Sequence, residues 1–276
     1  MKFQYYVKTD TGSTRPTNQD FAYANCIETR SGNAFLGVVC DGMGGLSHGE
    51  MASRNTASYF TEWFEQEFKY VVADGDISVV ISSQWSQLVT EANNALRQYS
   101  MEAGCSMGTT LSAILVFGGR YYIAQIGDSR VYLLIEDRIQ QITKDHSLVS
   151  ELCSSGRITE EEARNSSERN IITRCIGVMD KVAADFYTGT VGCGYSFIVC
   201  SDGFCSRMSC EDILAMLGNE QSRSGDLKLL LDKAVDYRIN DFGEKDNITA
   251  VWVRIEKEAL AEMAEEFGET QESGVL

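Results

Sequence analysis

Between residues 110 and 143 the chain strings together four short runs rich in β-branched and aromatic residues, 110–117, 120–126, 131–135 and 138–143, punctuated by Gly118-Gly119, Gly127-Asp128 and Glu136-Asp137. Breaks this short leave no room for a crossover helix, so consecutive runs are expected to pair antiparallel, as a meander. Further strand candidates are 3–8, 21–27, 35–40, 197–200 and an apolar run opened by Asp246, with Ser31-Gly32-Asn33 as a hairpin-like turn. The period changes elsewhere. Ala57, Phe60, Phe64 and Phe68 recur at helical spacing, as do Trp85, Leu88, Val89, Ala92, Leu96 and Tyr99, with 71–83 expected as a loop between them. Two more helices are expected at about 211–217, with Ser209 as N-cap, and at about 226–240. Strands in runs and helices in pairs predict an α+β protein, a sandwich of antiparallel sheets with helices on its outer faces.

Charge narrows the partners. Lys and Arg number 24 against 40 Asp and Glu, a net charge of −16. Such a surface repels phosphate backbones and anionic lipid, which argues against nucleic-acid and membrane-surface roles. No apolar run approaches the roughly 18 to 20 residues that span a bilayer, and the start lacks a signal-peptide core, so a cytoplasmic location is expected. The nine cysteines include no Cys-x-x-Cys pair, and Cys40, Cys175 and Cys200 read as buried thiols. Residues 256–276 hold seven Glu and one Lys and are expected to be a helical or disordered acidic tail.

Two apolar runs end in Asp-Gly, at Asp41-Gly42 and Asp202-Gly203, and a third acid opens the last run as Asp246-Asn247. Acids at strand ends, brought together, make an oxygen cage suited to hard divalent cations. The segment from Asp41 to Glu50 carries four glycines just ahead of a helix, so a backbone carbonyl as well as the carboxylate can face a cation. Arg15 stands five residues before Asp20 and would bind a phosphate through its planar fork of donors.

In order and spacing, Arg15-Pro16-Thr17-Asn18-Gln19-Asp20, Asp41-Gly42-Met43-Gly44-Gly45, Gly108-Thr109-Thr110, Gly127-Asp128-Ser129-Arg130, Ile172-Thr173-Arg174, Ser201-Asp202-Gly203 and Asp246-Asn247 resemble the motifs of the metal-dependent protein phosphatases of the 2C type, the PPM family, bacterial branch. The resemblance spans about residues 2–255. It implies an α/β/β/α four-layer sandwich over 1–255 with a small flap at about 147–174. It implies Mn²⁺ or Mg²⁺ as cofactor: two core ions held by Asp41, the Gly42 carbonyl, Asp202 and Asp246, and a third held by Asp128 and Asp202. Asp20 and Asn247 would stand behind these ligands, Asp20 ordering water, while Arg15 grips the substrate phosphate. The implied activity is hydrolysis of phosphoserine and phosphothreonine in proteins by a metal-activated water, opposing a Hanks-type kinase, in a monomer. No Cys-x₅-Arg loop occurs, so the thiolate route of tyrosine phosphatases is closed. The alternatives are a catalytically silent binding module on the same fold and a phosphatase of small metabolites.

The chain departs from the family pattern at three places: Met43 where many eukaryotic members carry His, Gln19 where many relatives have Glu, and Leu46 where bacterial relatives often carry His. Met cannot donate a proton, and only His48 and His146 remain as histidines. His48 reads as a solvated loop residue and His146 as a structural one. In the flap, Glu160, Glu161 and Glu162 would repel acidic peptides, or else open a helix after Thr159 through capping-box spacing to Glu162, the reading the pattern favours.

Overall fold

The computed structural model describes residues 1–43, 48–70, 77–218 and 225–256. In chain order the elements are β1 (Lys2–Asp10), β2 (Asp20–Thr29), β3 (Gly32–Asp41), α1 (Gly49–Gln66), α2 (Ser78–Ala103), β4 (Leu111–Phe117), β5 (Arg120–Ile126), β6 (Arg130–Ile135), β7 (Arg138–Gln141), α3 (Leu148–Ser154), α4 (Glu160–Asn165), β8 (Asp185–Thr190), β9 (Ser196–Cys200), α5 (Asp202–Cys205), α6 (Cys210–Leu217), α7 (Leu227–Asn240) and β10 (Ile248–Glu256). They form two antiparallel five-stranded sheets, the first ordered β2-β3-β4-β5-β8 and the second β1-β10-β9-β6-β7.

Side-chain alternation builds the layers. Along β3, Leu36, Val38 and Cys40 face α1 and α2, whereas Phe35 and Val39 face the other sheet. Along β10, Ala250 and Trp252 face α6 and α7, while Val251, Val253 and Ile255 point inward. The middle strands are therefore buried on both faces, which is why they read as unbroken apolar runs. Outside the first sheet, Trp85 of α2 meets Phe60 and Trp63 of α1 edge-on, with ring centroids 5.4 and 5.8 Å apart.

Three expectations change. The meander divides: β4 and β5 lie in one sheet, β6 and β7 in the other. The corner is Gly127, with φ 96, and it is closed by Gln125, whose amide donates to the Gly127 and Ser129 carbonyls at 3.1 and 2.6 Å. A tight Gly-Asp break looks the same in sequence whether the chain folds back or crosses to the facing sheet. The loop expected at 71–83 is helical from Ser78; 71–76 lie outside the described residues. Strand β8, which was not expected, pairs with β5 as an edge strand, its alternate residues only half-buried. The flap contains two short helices, and α4 opens with the capping box the spacing predicts: Thr159 N–H donates to Glu162 Oε2 at 2.7 Å, and Glu162 N–H to Thr159 Oγ1 at 3.2 Å. Most of the acidic tail and the 44–47 part of the Gly-rich loop, including Leu46, lie outside the described residues. No helix among those described is long and apolar enough to cross a membrane.

Phe197 is fully buried between the sheets, 5.3 Å from the Tyr121 ring. Phe197→Ala is expected to cost about 3–5 kcal/mol, read as a lower urea midpoint at an unchanged denaturant slope.

Candidate active site

The site is built at one end of the sandwich, where β2 and β3 pair with Asp20 directly opposite Asp41. Asp41 is fixed by its backbone: its N–H donates to Thr110 Oγ1 at 2.9 Å, and its carbonyl accepts from Thr110 N–H at 2.9 Å and Thr109 Oγ1 at 2.9 Å. The Gly-Thr-Thr motif is thus the clamp on Asp41. Gly42 N–H continues the pairing to the Gln19 carbonyl at 3.1 Å. A Cβ at Gly42 would fall 2.3 Å from the Gly49 carbonyl oxygen and 2.5 Å from that of Gln19. A Cβ at Gly203 would lie 2.0 Å from the Asn247 carbonyl oxygen. In both Asp-Gly pairs, close packing behind the acid demands the glycine, which differs from the ligand-approach role read from the sequence.

The segment that carries Arg15 is laid across the start of β10. Asn247 Nδ2 donates to the carbonyls of Thr11 and Thr17 at 2.8 and 3.1 Å, and its Oδ1 accepts from Gln19 N–H at 2.8 Å. Ser13 and Thr14 hydroxyls bond the carbonyls of Glu244 and Lys245 at 2.9 and 2.8 Å. Arg15 then closes on Asp246, Nε to Oδ1 at 2.8 Å and Nη2 to Oδ2 at 2.7 Å. Its fork holds a carboxylate in the way it would hold two phosphoryl oxygens.

Five acids singled out in the sequence are brought together. Burial first, then the charges of Asp20, Asp202, Asp128 and Asp246, raise the Asp41 carboxyl well above its usual range. Burial, then Asp128 and Asp246, do the same to Asp202. Burial pushes Asp20 up to about 6 and Asp128 up to about 7, the latter reinforced by Asp145. Asp20 Oδ2 accepts from Ser201 Oγ at 2.8 Å, whereas its Oδ1 is buried with no partner. The donor set is all oxygen, as Mn²⁺ or Mg²⁺ prefers, and mutual repulsion of this kind is relieved by cations. Among the described residues, no three acidic, His or Cys groups already stand at the spacing an ion needs. Asp246 is instead turned onto Arg15.

The remaining motifs serve as scaffold. Arg130 forks onto Asp145 (Nη2 to Oδ2, 2.8 Å) and reaches Tyr132 OH at 3.0 Å. His146 is buried; its Nδ1 accepts from Gly127 N–H at 3.1 Å, which leaves Nε2 to donate to Asp185 at 3.2 Å, and burial lowers its pKa. Arg174 bonds the same Asp185 at 2.5 Å. His146 thus steadies the corner that presents Asp128. His48, in left-handed backbone at φ 64, is exposed beside Tyr99.

Arg238 on α7 carried no sequence signal beyond its helical register. Fully buried, it donates through Nε and Nη2 to the Gly203 carbonyl at 3.0 and 2.8 Å, and through Nη2 to Glu244 Oε2 at 2.7 Å, with its guanidinium 4.2 Å from the Phe242 ring centroid. Glu244 Oε1 in turn accepts Lys245 N–H at 2.8 Å. One cation therefore ties the Asp202 helix to the segment bearing Asp246.

The family model described as Protein phosphatase 2C matches residues 13–231. Protein phosphatase PhpP of Streptococcus pneumoniae is 31% identical over 252 residues, 91% of this chain and 96% of that protein. The crystal structure of the serine/threonine phosphatase Stp1 from Staphylococcus aureus superposes with a TM-score of 0.81 at 31% identity, over 93% of this chain and 96% of that one. The catalytic domain of the serine threonine protein phosphatase PstP, in complex with two manganese ions, gives 0.72 at 30% identity, over 92% and 99%.

Arg238→Ala takes from buried Glu244 its closest cation, leaving Arg207 at 4.0 Å, and is expected to cost about 3–5 kcal/mol, with Arg238→Met costing less, as measured by urea denaturation. Carboxyls with raised folded-state pKa values bind more protons folded than unfolded, so stability falls as pH rises through the window from their usual 3.8 to about 6 for Asp20 and about 7 for Asp128. Chelator-treated protein should therefore show a falling urea midpoint from pH 4.5 to 7.5, and a midpoint that rises across that range would contradict the clustering.

Proposed function

The chain belongs to the protein phosphatase 2C family, and from that premise we propose that it is a phosphoprotein phosphatase that removes phosphate from phosphoserine and phosphothreonine with Mn²⁺ or Mg²⁺. The observation that carries this reading is the convergence of Asp20, Asp41, Asp128, Asp202 and Asp246 at one end of the sandwich, beside a forked arginine.

In this reading Asp41, the Gly42 carbonyl, Asp202 and Asp246 hold two core ions, and Asp128 with Asp202 holds a third. When bound, the ions supply a water of lowered pKa and positive charge against the phosphoryl oxygens. Asp20, whose buried Oδ1 has no hydrogen-bond partner, would orient that water. Arg15 exchanges its carboxylate partner for the substrate phosphate, its fork fitting either. Asn247 keeps the Arg15 segment in register with Asp246. Neither histidine is placed as a general acid, His146 being engaged on both nitrogens and His48 exposed beside Tyr99, so the leaving alkoxide draws its proton from water. Residues 1–255 form the catalytic domain with the flap at 147–174, in a cytoplasmic monomer that opposes a Hanks-type kinase.

The closure of Arg15 on Asp246 is the observation that favours the second reading, a silent binding module. Purified protein with a phosphothreonine peptide separates the two. Turnover is expected with Mn²⁺ and not after chelation, with Asp202→Ala the most damaging change, by roughly 100-fold or more. Arg15→Ala should raise KM about tenfold and lower kcat less. Tight Mn²⁺ binding without turnover would replace the enzyme with the module, and near-normal turnover in Asp202→Ala would remove Asp202 from the ligands.

A further inference from the structure

Beside the acids lies a cavity of about 540 Å³, walled on one side by the flap (Val149, Cys153, Arg164, Arg169) and on the other by the turn after α5 (Arg207, Met208). Asp128 and Asp202 form part of its lining, so the cavity opens directly onto the cluster of carboxylates. Its size falls within the roughly 300 to 1,000 Å³ of ligand pockets and is enough for two or three amino-acid side chains.

The charge of this wall runs against that of the molecule. Arg130 and Asp145 are both in the lining but satisfy one another. That leaves Lys144, Arg164, Arg169 and Arg207 against Glu160 alone, outside the acid cluster, in a chain of net charge −16. These cations hold no close carboxylate among the described residues, although Arg169 Nη1 donates to the Ser166 carbonyl at 3.2 Å and the Arg207 guanidinium lies 5.0 Å from the Phe242 ring centroid. Arg164 reaches only Glu160, at 3.8 Å, with that carboxylate almost fully exposed. Arg207 stands 4.0 Å from a Glu244 oxygen that Arg238 already holds at 2.7 Å. The Arg169 Nε is buried without a hydrogen-bond partner. Arg207 also sits in left-handed backbone, φ 62, where glycine or asparagine would cost less. Of the three adjacent flap glutamates, Glu162 is spent on the helix cap and only Glu160 lines the cavity.

We propose that this cavity, which rests on the phosphatase reading above, is a subsite for an anionic side chain of the phosphoprotein, a carboxylate or a second phosphate, lying one to three residues from the phosphoserine or phosphothreonine. An extended peptide advances about 3.3 Å per residue, so a residue this near in sequence reaches the flap wall while its neighbour occupies the acid cluster. Guanidinium forks at partly exposed positions favour oxyanions of either kind and add selectivity mainly through KM.

The test is a set of phosphothreonine peptides of one length carrying Ala, Glu, Lys or a non-hydrolysable phosphonate analogue of phosphoserine at each of the three positions on either side, assayed with Mn²⁺ and, separately, p-nitrophenyl phosphate. For at least one position, kcat/KM should rise about fivefold to tenfold for Glu over Ala, and should fall for Lys. A larger gain for the phosphonate than for Glu assigns the subsite to a second phosphate, and the reverse assigns it to a carboxylate. The Glu-to-Ala ratio should approach one in the double variant Arg164→Ala/Arg207→Ala, persist in Arg164→Lys/Arg207→Lys, and shrink with added salt. A flat or Lys-favouring profile at every position, or a ratio unmoved in the double alanine variant, overturns the subsite. No hydrolysis of p-nitrophenyl phosphate by the wild-type protein would instead overturn the phosphatase reading on which it rests.

Discussion

Repulsion among carboxylates is the constraint around which this fold is organised. Asp20 and Asp41 are placed opposite each other by strand register, and Asp128, Asp202 and Asp246 arrive from three other segments of the chain. Left to themselves, such groups would separate or protonate. They stay because each is anchored from behind by backbone bonds and side chains that the charges do not disturb: Thr109 and Thr110 under Asp41, Ser201 on Asp20, His146 at the corner of Asp128. Local destabilisation at a site is tolerated when the surrounding structure overdetermines it.

That overdetermination is concentrated in a few polar groups in an otherwise apolar interior. Asn247 satisfies three backbone groups from a loop that has no secondary structure of its own. Arg238 and Glu244 form a buried pair whose value is positional, since it joins the two acid-bearing segments of the second sheet. A buried polar network of this kind specifies one arrangement among several that apolar packing alone would permit.

The sequence was legible wherever one residue sets its own local physics. Alternation and turn chemistry located most strands, Thr159-x-x-Glu162 and the N-cap Ser209 marked helix starts, and Asp-Gly at the ends of apolar runs marked where the chain brings acids to one edge. What escaped depends on partners distant in sequence. The corner at Gly127 depends on Gln125 and His146. β8 is a half-exposed edge strand whose pairing is decided by β5. Arg238 reads as an ordinary helical arginine until the Gly203 carbonyl and Glu244 are beside it. The flap's glutamates were legible as a helix start, whereas Arg164, Arg169 and Arg207 converge only in three dimensions.

Strand β1 pairs along its whole length with β10 and with no other described strand, Lys2 opposite Glu256 through to Asp10 opposite Ile248. As a ribosome extends the chain, β1 is made before the other described strands and is the last of them to find its partner. The second sheet therefore cannot close until synthesis has passed Glu256, and Asp246 reaches the other acids only in the same final step. Contacts of such high sequence separation form late and slowly, so the nascent chain spends its synthesis with an open sheet edge and an incomplete cluster. Assembly of the site is thereby tied to completion of the sandwich.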